Sequence, residues 1–171
     1  MSGGQGSGAD LLAQAAGRVS LVHGGSAEAA DWPFPELEFA ILRTGNKVAT
    51  HAHLAELDQA QLEELIAPAN QVAERFVAGS VEKFLQSVKA YGQMLRELHL
   101  QAPSTLKLLA SFDEQSWCKA AKGCGALGAD TLLVFFARED REQAERHFQD
   151  LKLERVDAPL SEGLAMNWSW A

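Results

Sequence analysis

Cysteine is scarce in this sequence. Cys118 and Cys124 are the two present, and they form no C-x-x-C pair. No disulfide framework is expected from them, and a reduced, cytoplasmic setting fits best. No apolar run approaches the ~18–20 residues needed to cross a bilayer, so no membrane partner is expected. The opening Met1-Ser2-Gly3-Gly4-Gln5-Gly6 has no basic stretch followed by an apolar one, which argues against a signal peptide. Lys and Arg are nowhere gathered into a stripe, and the formal net charge is −8. Nucleic-acid binding needs a phosphate-neutralising face and is disfavoured. A local cationic or amide-rich site can still take a phosphorylated metabolite on an acidic protein. No Walker A loop, Rossmann fingerprint or internal repeat is found.

What is present is ordinary for a globular chain. The 171 residues are 47% apolar and 22% charged, enough for one domain, or one plus part of another. A glycine-rich segment from Gly3 to Gly8 leads into a short helix from Ala9 to Ala16, with Gly17 placed as its terminator. Strands are expected over 18–23 and 38–43, separated by a loop through Pro33 and Pro35. A short helix is expected from Thr50 to Leu57. Asp58 then caps a longer one whose apolar residues, from Leu62 to Phe76, recur at helical spacing, with a kink at Pro68. Ser80 starts a strongly amphipathic helix carrying Phe84, Val88 and Leu95, and a further helix covers 104–110. Strands are read at 116–121 and 131–137 around a glycine-bearing turn, followed by a helix over 140–151. In the tail, Met166, Trp168 and Trp170 alternate with polar residues as on a strand. The expected class is α+β, with helices packed on an antiparallel sheet.

Three segments have residue types suited to phosphate chemistry. In Gly6-Ser7-Gly8-Ala9-Asp10, backbone amides and a helix N-terminus can approach an anion while a carboxylate orients a hydroxyl. The plain alternative is a chain end whose Asp10 favours the first helical turn. Arg43-Thr44-Gly45-Asn46-Lys47-Val48-Ala49-Thr50 reads as a strand-turn-helix corner able to receive a phosphate or carboxylate, or as a capped turn with an exposed lysine. Lys122-Gly123-Cys124-Gly125-Ala126-Leu127-Gly128-Ala129-Asp130 joins two expected strands, and its glycines suit either a ligand-hugging loop or a hairpin. His51 and His53 are two apart and would face apart on a helix, so no metal site is expected; His23, His99 and His147 are isolated. Cys124 has no adjacent histidine to make it a nucleophile.

In that order, Gly6-Ser7-Gly8-Ala9-Asp10, Thr44-Gly45-x-Lys47-x-x-Thr50 and Lys122-x-x-Gly125-Ala126-x-Gly128-x-Asp130 resemble the C-terminal half of the GHMP kinase superfamily, most of all mevalonate and phosphomevalonate kinases. The resemblance implies a ferredoxin-like C-terminal domain over 46–171, preceded by a remnant of the N-terminal domain over 1–45. It implies Asp10 as the acidic catalytic residue near the phosphoryl acceptor, with Lys47 also catalytic. Ser7, Gly8, Thr44, Gly45 and Thr50 would bind substrate, and Lys122, Gly125, Gly128 and Asp130 would form the phosphate loop. Leu127 and Ala129 stand where the family is richer in glycine. The family's upstream glycine-rich loop ending in consecutive serines, which cradles ATP, has no counterpart in these residues.

The implied activity is therefore that of the acceptor-side part of an ATP- and Mg²⁺-dependent kinase acting on a mevalonate-like alcohol or phosphate, inactive alone. A metabolite-binding or regulatory module without chemistry is the alternative, and a decarboxylase of the same superfamily a third. Strands before residue 45 are expected to lack neighbours, which implies a homodimer or a separate N-terminal kinase half as partner.

Overall fold

The computed structural model describes residues 9–23, 25–46, 59–156, 160 and 162–163. The chain divides into two compact units, residues 1–33 with 157–171, and residues 34–156. In the first, helix α1 (Ala9–Ala16) is followed by an antiparallel pair, β1 (Val19–His23) and β2 (Ser26–Ala30). The Gly17 amide donates to the Ala13 carbonyl at 2.9 Å and ends the helix in the left-handed region, φ 73°. The Arg18 guanidinium pairs with Asp31 at 3.0 Å and Glu162 at 3.1 Å. Strand β2 lies inside the expected loop. Its Ser-Ala-Glu-Ala-Ala sequence has no β-branched residue, and its pairing with β1 overrides that weak propensity.

The second unit holds a four-stranded sheet in the order β4-β5-β3-β6, where β3 is Leu37–Arg43, β4 Cys118–Cys124, β5 Thr131–Ala137 and β6 Glu154–Arg155. Every neighbouring pair is antiparallel. Helices α2 (Gln59–Val77), α3 (Val81–Glu97) and α4 (Pro103–Asp113) lie between β3 and β4, and α5 (Arg141–Asp150) between β5 and β6. This is the split β-α-β plan of a ferredoxin-like domain, enlarged among the described residues by two helices, and it agrees with the expected class.

Alternation along β5 determines which core each residue joins. Leu132, Val134 and Phe136 pack with Leu109 and Phe112 of α4, Trp117, and Ala144 and Phe148 of α5. Phe135 points to the opposite face, where its ring meets Phe84 of α3 edge-on at 5.4 Å. Phe84 in turn stacks on Phe34 at 5.0 Å, and Phe76 of α2 closes the group. The central strand is thus covered on both faces around Phe135 and Phe136. His147 is a packed histidine, its ring against Phe112 and Trp117.

Several expectations are revised. The strand over 37–43 does not lack neighbours: β3 pairs with β5 along its whole length and with β6 at Leu42 and Arg43. The units also separate after Pro33 and not at 45, because Phe34 and β3 are anchored in the later core. Helix α2 includes Pro68, the residue at which a kink is expected, within one element. Strand β4 starts at Cys118, whose amide closes a turn onto the Gln115 carbonyl at 3.2 Å, and it runs on to Cys124 into the expected glycine turn. The helix read over Thr50–Leu57, His51, His53 and the tryptophan-bearing tail lie outside the described residues.

Candidate functional site

Of the three segments singled out above, the connection between β4 and β5 is the one described in full. Cys124 pairs with Thr131 at the strand ends, and a short 3₁₀ turn, Ala126–Gly128, spans the gap. Gly125 (φ 82°) and Gly128 (φ 60°) take the left-handed conformation that glycine adopts without penalty. Leu127, at φ 52°, takes it without that freedom. Gly123 is required for another reason. A Cβ there would lie 2.6 Å from the Gly128 carbonyl oxygen and 2.9 Å from Thr105 Cγ2. The loop therefore folds back onto the strand that feeds it.

Other elements hold this loop by its carbonyls. The Ala102 amide, just before α4, donates to the Leu127 carbonyl at 2.8 Å. The buried Thr105 hydroxyl donates to Gly128 O at 3.1 Å. From the end of β3, the Thr44 amide donates to Asp130 O at 3.2 Å, and the Thr44 hydroxyl reaches the carbonyls of Ala129 and Asp130. That hydroxyl also accepts from the Asn46 amide at 3.1 Å, which folds the Thr44-Gly45-Asn46 turn over its own side chain. An anion is bound by N–H groups, and within the loop the Gly128 amide is already donated to the Gly125 carbonyl at 2.9 Å.

The structure thus brings together Thr44, Gly45, Gly125, Gly128 and Asp130. The Asp130 residue is exposed and its carboxylate makes no ion pair among the described residues. Lys122 is turned elsewhere: its ammonium lies 3.4 Å from Cys124 Sγ and 5.6 Å from the centre of the Tyr91 ring. Ser7, Gly8, Lys47 and Thr50 lie outside the described residues. Asp10 belongs to α1, in the other unit, and its side chain is likewise outside the description.

Two residues missed in the sequence belong with this loop. Thr105 is an unremarkable threonine of an amphipathic helix until the fold places it under Gly128. Gln101, next to Ala102, is buried, and neither its amide oxygen nor its nitrogen has a hydrogen-bond partner among the described residues. Such a side chain normally finds a partner in the folded protein or in what binds it. No sequence signal marks Gln101, since a glutamine before a helix is ordinarily solvated.

Among the described residues no helix is long and apolar enough to cross a membrane. No group of three or more His, Cys, Asp or Glu among them is placed to hold a metal ion.

No family model and no curated protein sequence matches the chain. Solved structures do. Phosphomevalonate kinase of Streptococcus pneumoniae, in complex with phosphomevalonate and AMPPNP, superimposes with a TM-score of 0.65 at 17% identity, covering 80% of this chain and 43% of that one. Mevalonate kinase of Methanococcus jannaschii gives 0.62 at 12% identity, with 79% and 44% covered. The Lin0012 protein of Listeria innocua gives 0.63 at 19%, with 80% and 41% covered. The chain spans less than half the length of each. Over about four-fifths of its own residues, this chain has the fold of part of a GHMP kinase, the fold of mevalonate and phosphomevalonate kinases.

Proposed function

We propose that the chain is the acceptor-side part of an ATP-dependent small-molecule kinase whose acceptor is a mevalonate-like alcohol or phosphate. Residues 34–156 would form its C-terminal domain, and the α1–β2 segment a remnant of the N-terminal one. The observation that carries the reading is the closed corner at which Thr44-Gly45 meets the Gly125–Asp130 loop, on a fold shared with a kinase solved with phosphomevalonate and AMPPNP.

In this reading the glycine loop faces the phosphates, with backbone N–H groups as donors. Gly125, exposed and at positive φ, suits such a ligand because no side chain stands over the backbone there, whereas the space beside Gly128 is filled by Gly123 and Thr105. ATP with Mg²⁺, when bound, would supply the transferable phosphoryl group and neutralise its charge. Asp10 would orient the acceptor hydroxyl and take its proton, with Ser7 and Gly8 beside it. Lys47 would neutralise charge on the phosphoryl group, and Thr50 would bind the acceptor. Positioning and electrostatics supply most of the rate in such reactions. The nucleotide-cradling segment would come from an N-terminal kinase half that completes the site. A reduced, cytoplasmic setting suits this chemistry.

Titration of the ¹⁵N-labelled chain with phosphomevalonate tests the site. Saturable shifts at Thr44–Asn46 and Gly125–Asp130 are expected, and Thr44→Val should weaken them. Shifts that never saturate, or that leave these amides unmoved, count against the assignment.

One observation favours a second reading, a metabolite-binding or regulatory module without chemistry. Leu127 holds a left-handed conformation inside the loop, and its carbonyl is tied to Ala102. A loop stiffened in this way can bind a phosphate yet fail to close over a reacting one. A phosphoryl acceptor that binds at Thr44 and the loop but is never phosphorylated, even with an ATP-loop half supplied, would favour this module.

A further inference from the structure

A cleft of about 400 Å³ lies between α3, α4 and the edge strand β4, and nothing in the phosphoryl-transfer reading uses it. That volume is within the ~300–1,000 Å³ range of small-molecule sites. None of Thr44, Gly125, Gly128 or Asp130 lines it.

Its wall on α3 consists of Lys89, Gln93 and Arg96. Spacings of four and three residues place them on one helix face, stacked along the cleft. Opposite stand Lys119 on β4 and Asp113 at the end of α4, while Ala90 of α3 and Cys118 of β4 contribute an apolar floor.

The charges do not cancel. Arg96 Nη2 bonds Asp113 at 3.0 Å, but Arg96 Nε is buried with no hydrogen-bond partner among the described residues. Lys119 pairs at 3.3 Å with Asp140, which is not part of the lining. Lys89 makes no ion pair among the described residues and is close enough to act electrostatically on the Cys118 thiol. With Asp140 counted, three cations still face two carboxylates, in a chain whose net charge is −8. A local positive excess in a walled cleft concentrates anions even on an acidic protein.

We infer that this cleft binds a small phosphomonoester. Lys89 and Lys119 would meet the phosphate, with Gln93 and Arg96 Nε as further donors. The apolar floor would take a compact organic body. Charge-assisted contacts of this kind are the strong ones.

Phenyl phosphate is the probe, and amide shifts of the full chain are the readout. Saturable shifts at 89–96 and 118–121 are expected. Lys89→Gln, at an exposed position, should weaken the apparent affinity about tenfold. Gln93→Glu, which sets a carboxylate in the middle of the wall, should abolish binding. Lys107→Gln, on the same unit but outside the cleft, should change nothing. Inorganic phosphate should compete more weakly, lacking a body for the floor. The proposal is overturned by any of three results: no saturation up to ~20 mM probe, shifts confined to 125–130, or equal weakening by Lys89→Gln and Lys107→Gln.

Discussion

Replacing Gly123 by alanine probes the candidate site at its tightest point. The new Cβ would lie 2.6 Å from Gly128 O, 2.7 Å from Gly128 Cα and 2.9 Å from Thr105 Cγ2. Two of the three are backbone atoms that cannot rotate away, so β4 and the loop must separate. That separation also strains the Thr105–Gly128 hydrogen bond. Overpacking of this kind costs about 3 kcal/mol. Gly45→Ala is the control. It imposes a positive φ of 73° on alanine with nothing within 4 Å of the new atom, which costs about 1 kcal/mol. With a urea slope of about 2 kcal/mol/M, the Gly123→Ala midpoint should lie ~1 M below that of Gly45→Ala. Far-UV circular dichroism in urea reads both midpoints. If Gly123→Ala loses no more than Gly45→Ala, the loop does not close against β4 as described.

Three further outcomes follow from the structure. Thr44→Val removes the hydroxyl that reaches the carbonyls of Ala129 and Asp130 and should cost about 1–2 kcal/mol in urea denaturation. The Arg141 guanidinium, by a bidentate hydrogen bond with help from Arg138, holds the Glu38 carboxyl below its usual pKa. A depressed folded-state pKa gives stability that is present above the unfolded value of about 4.3 and lost as pH falls through the folded one. Glu38→Gln should therefore lose about 1 kcal/mol near neutrality, little because both arginines are largely solvated. Its deficit should shrink as urea midpoints are compared at pH values falling below about 4. Burial, with Asp113 adding to it, pushes the Cys118 thiol up to about 12. In a Cys124→Ser chain, native thiol labelling at pH 8 should be slow and should become fast in denaturant, because the thiolate is the reactive form.

Much of the fold could be read from the residues. The limits of α1 followed from Gly17, and β5 was bounded on both sides because its continuous apolar run is long enough for a strand buried on both faces. The amphipathic stretch after Ser80 was similarly clear, since Phe84 and Val88 mark one face. Pairing was not legible. That β3 lies between β5 and β6 depends on contacts ~90–110 residues apart, and a run such as Phe39-Ala40-Ile41-Leu42 does not name its partners. For the same reason the unit boundary was read too late. The glycines of the β4–β5 connection were visible in the sequence, but their purposes were not. Gly125 and Gly128 serve backbone conformation, whereas Gly123 serves a close approach that exists only once the hairpin has formed. Gln101 and Thr105 had no signal at all, because each is set apart only by what the fold brings beside it.

In the proposed function these residues supply the acceptor side of a phosphoryl transfer and need an ATP-cradling half to complete it. Coupled ADP release, with mevalonate and phosphomevalonate as acceptors, measures this directly. No turnover is expected from the chain alone, turnover when an N-terminal kinase half carrying the ATP loop is supplied, and its loss in Asp10→Ala. Robust turnover by the chain alone would contradict the proposed function, and restored activity that survives Asp10→Ala would remove Asp10 from the reaction.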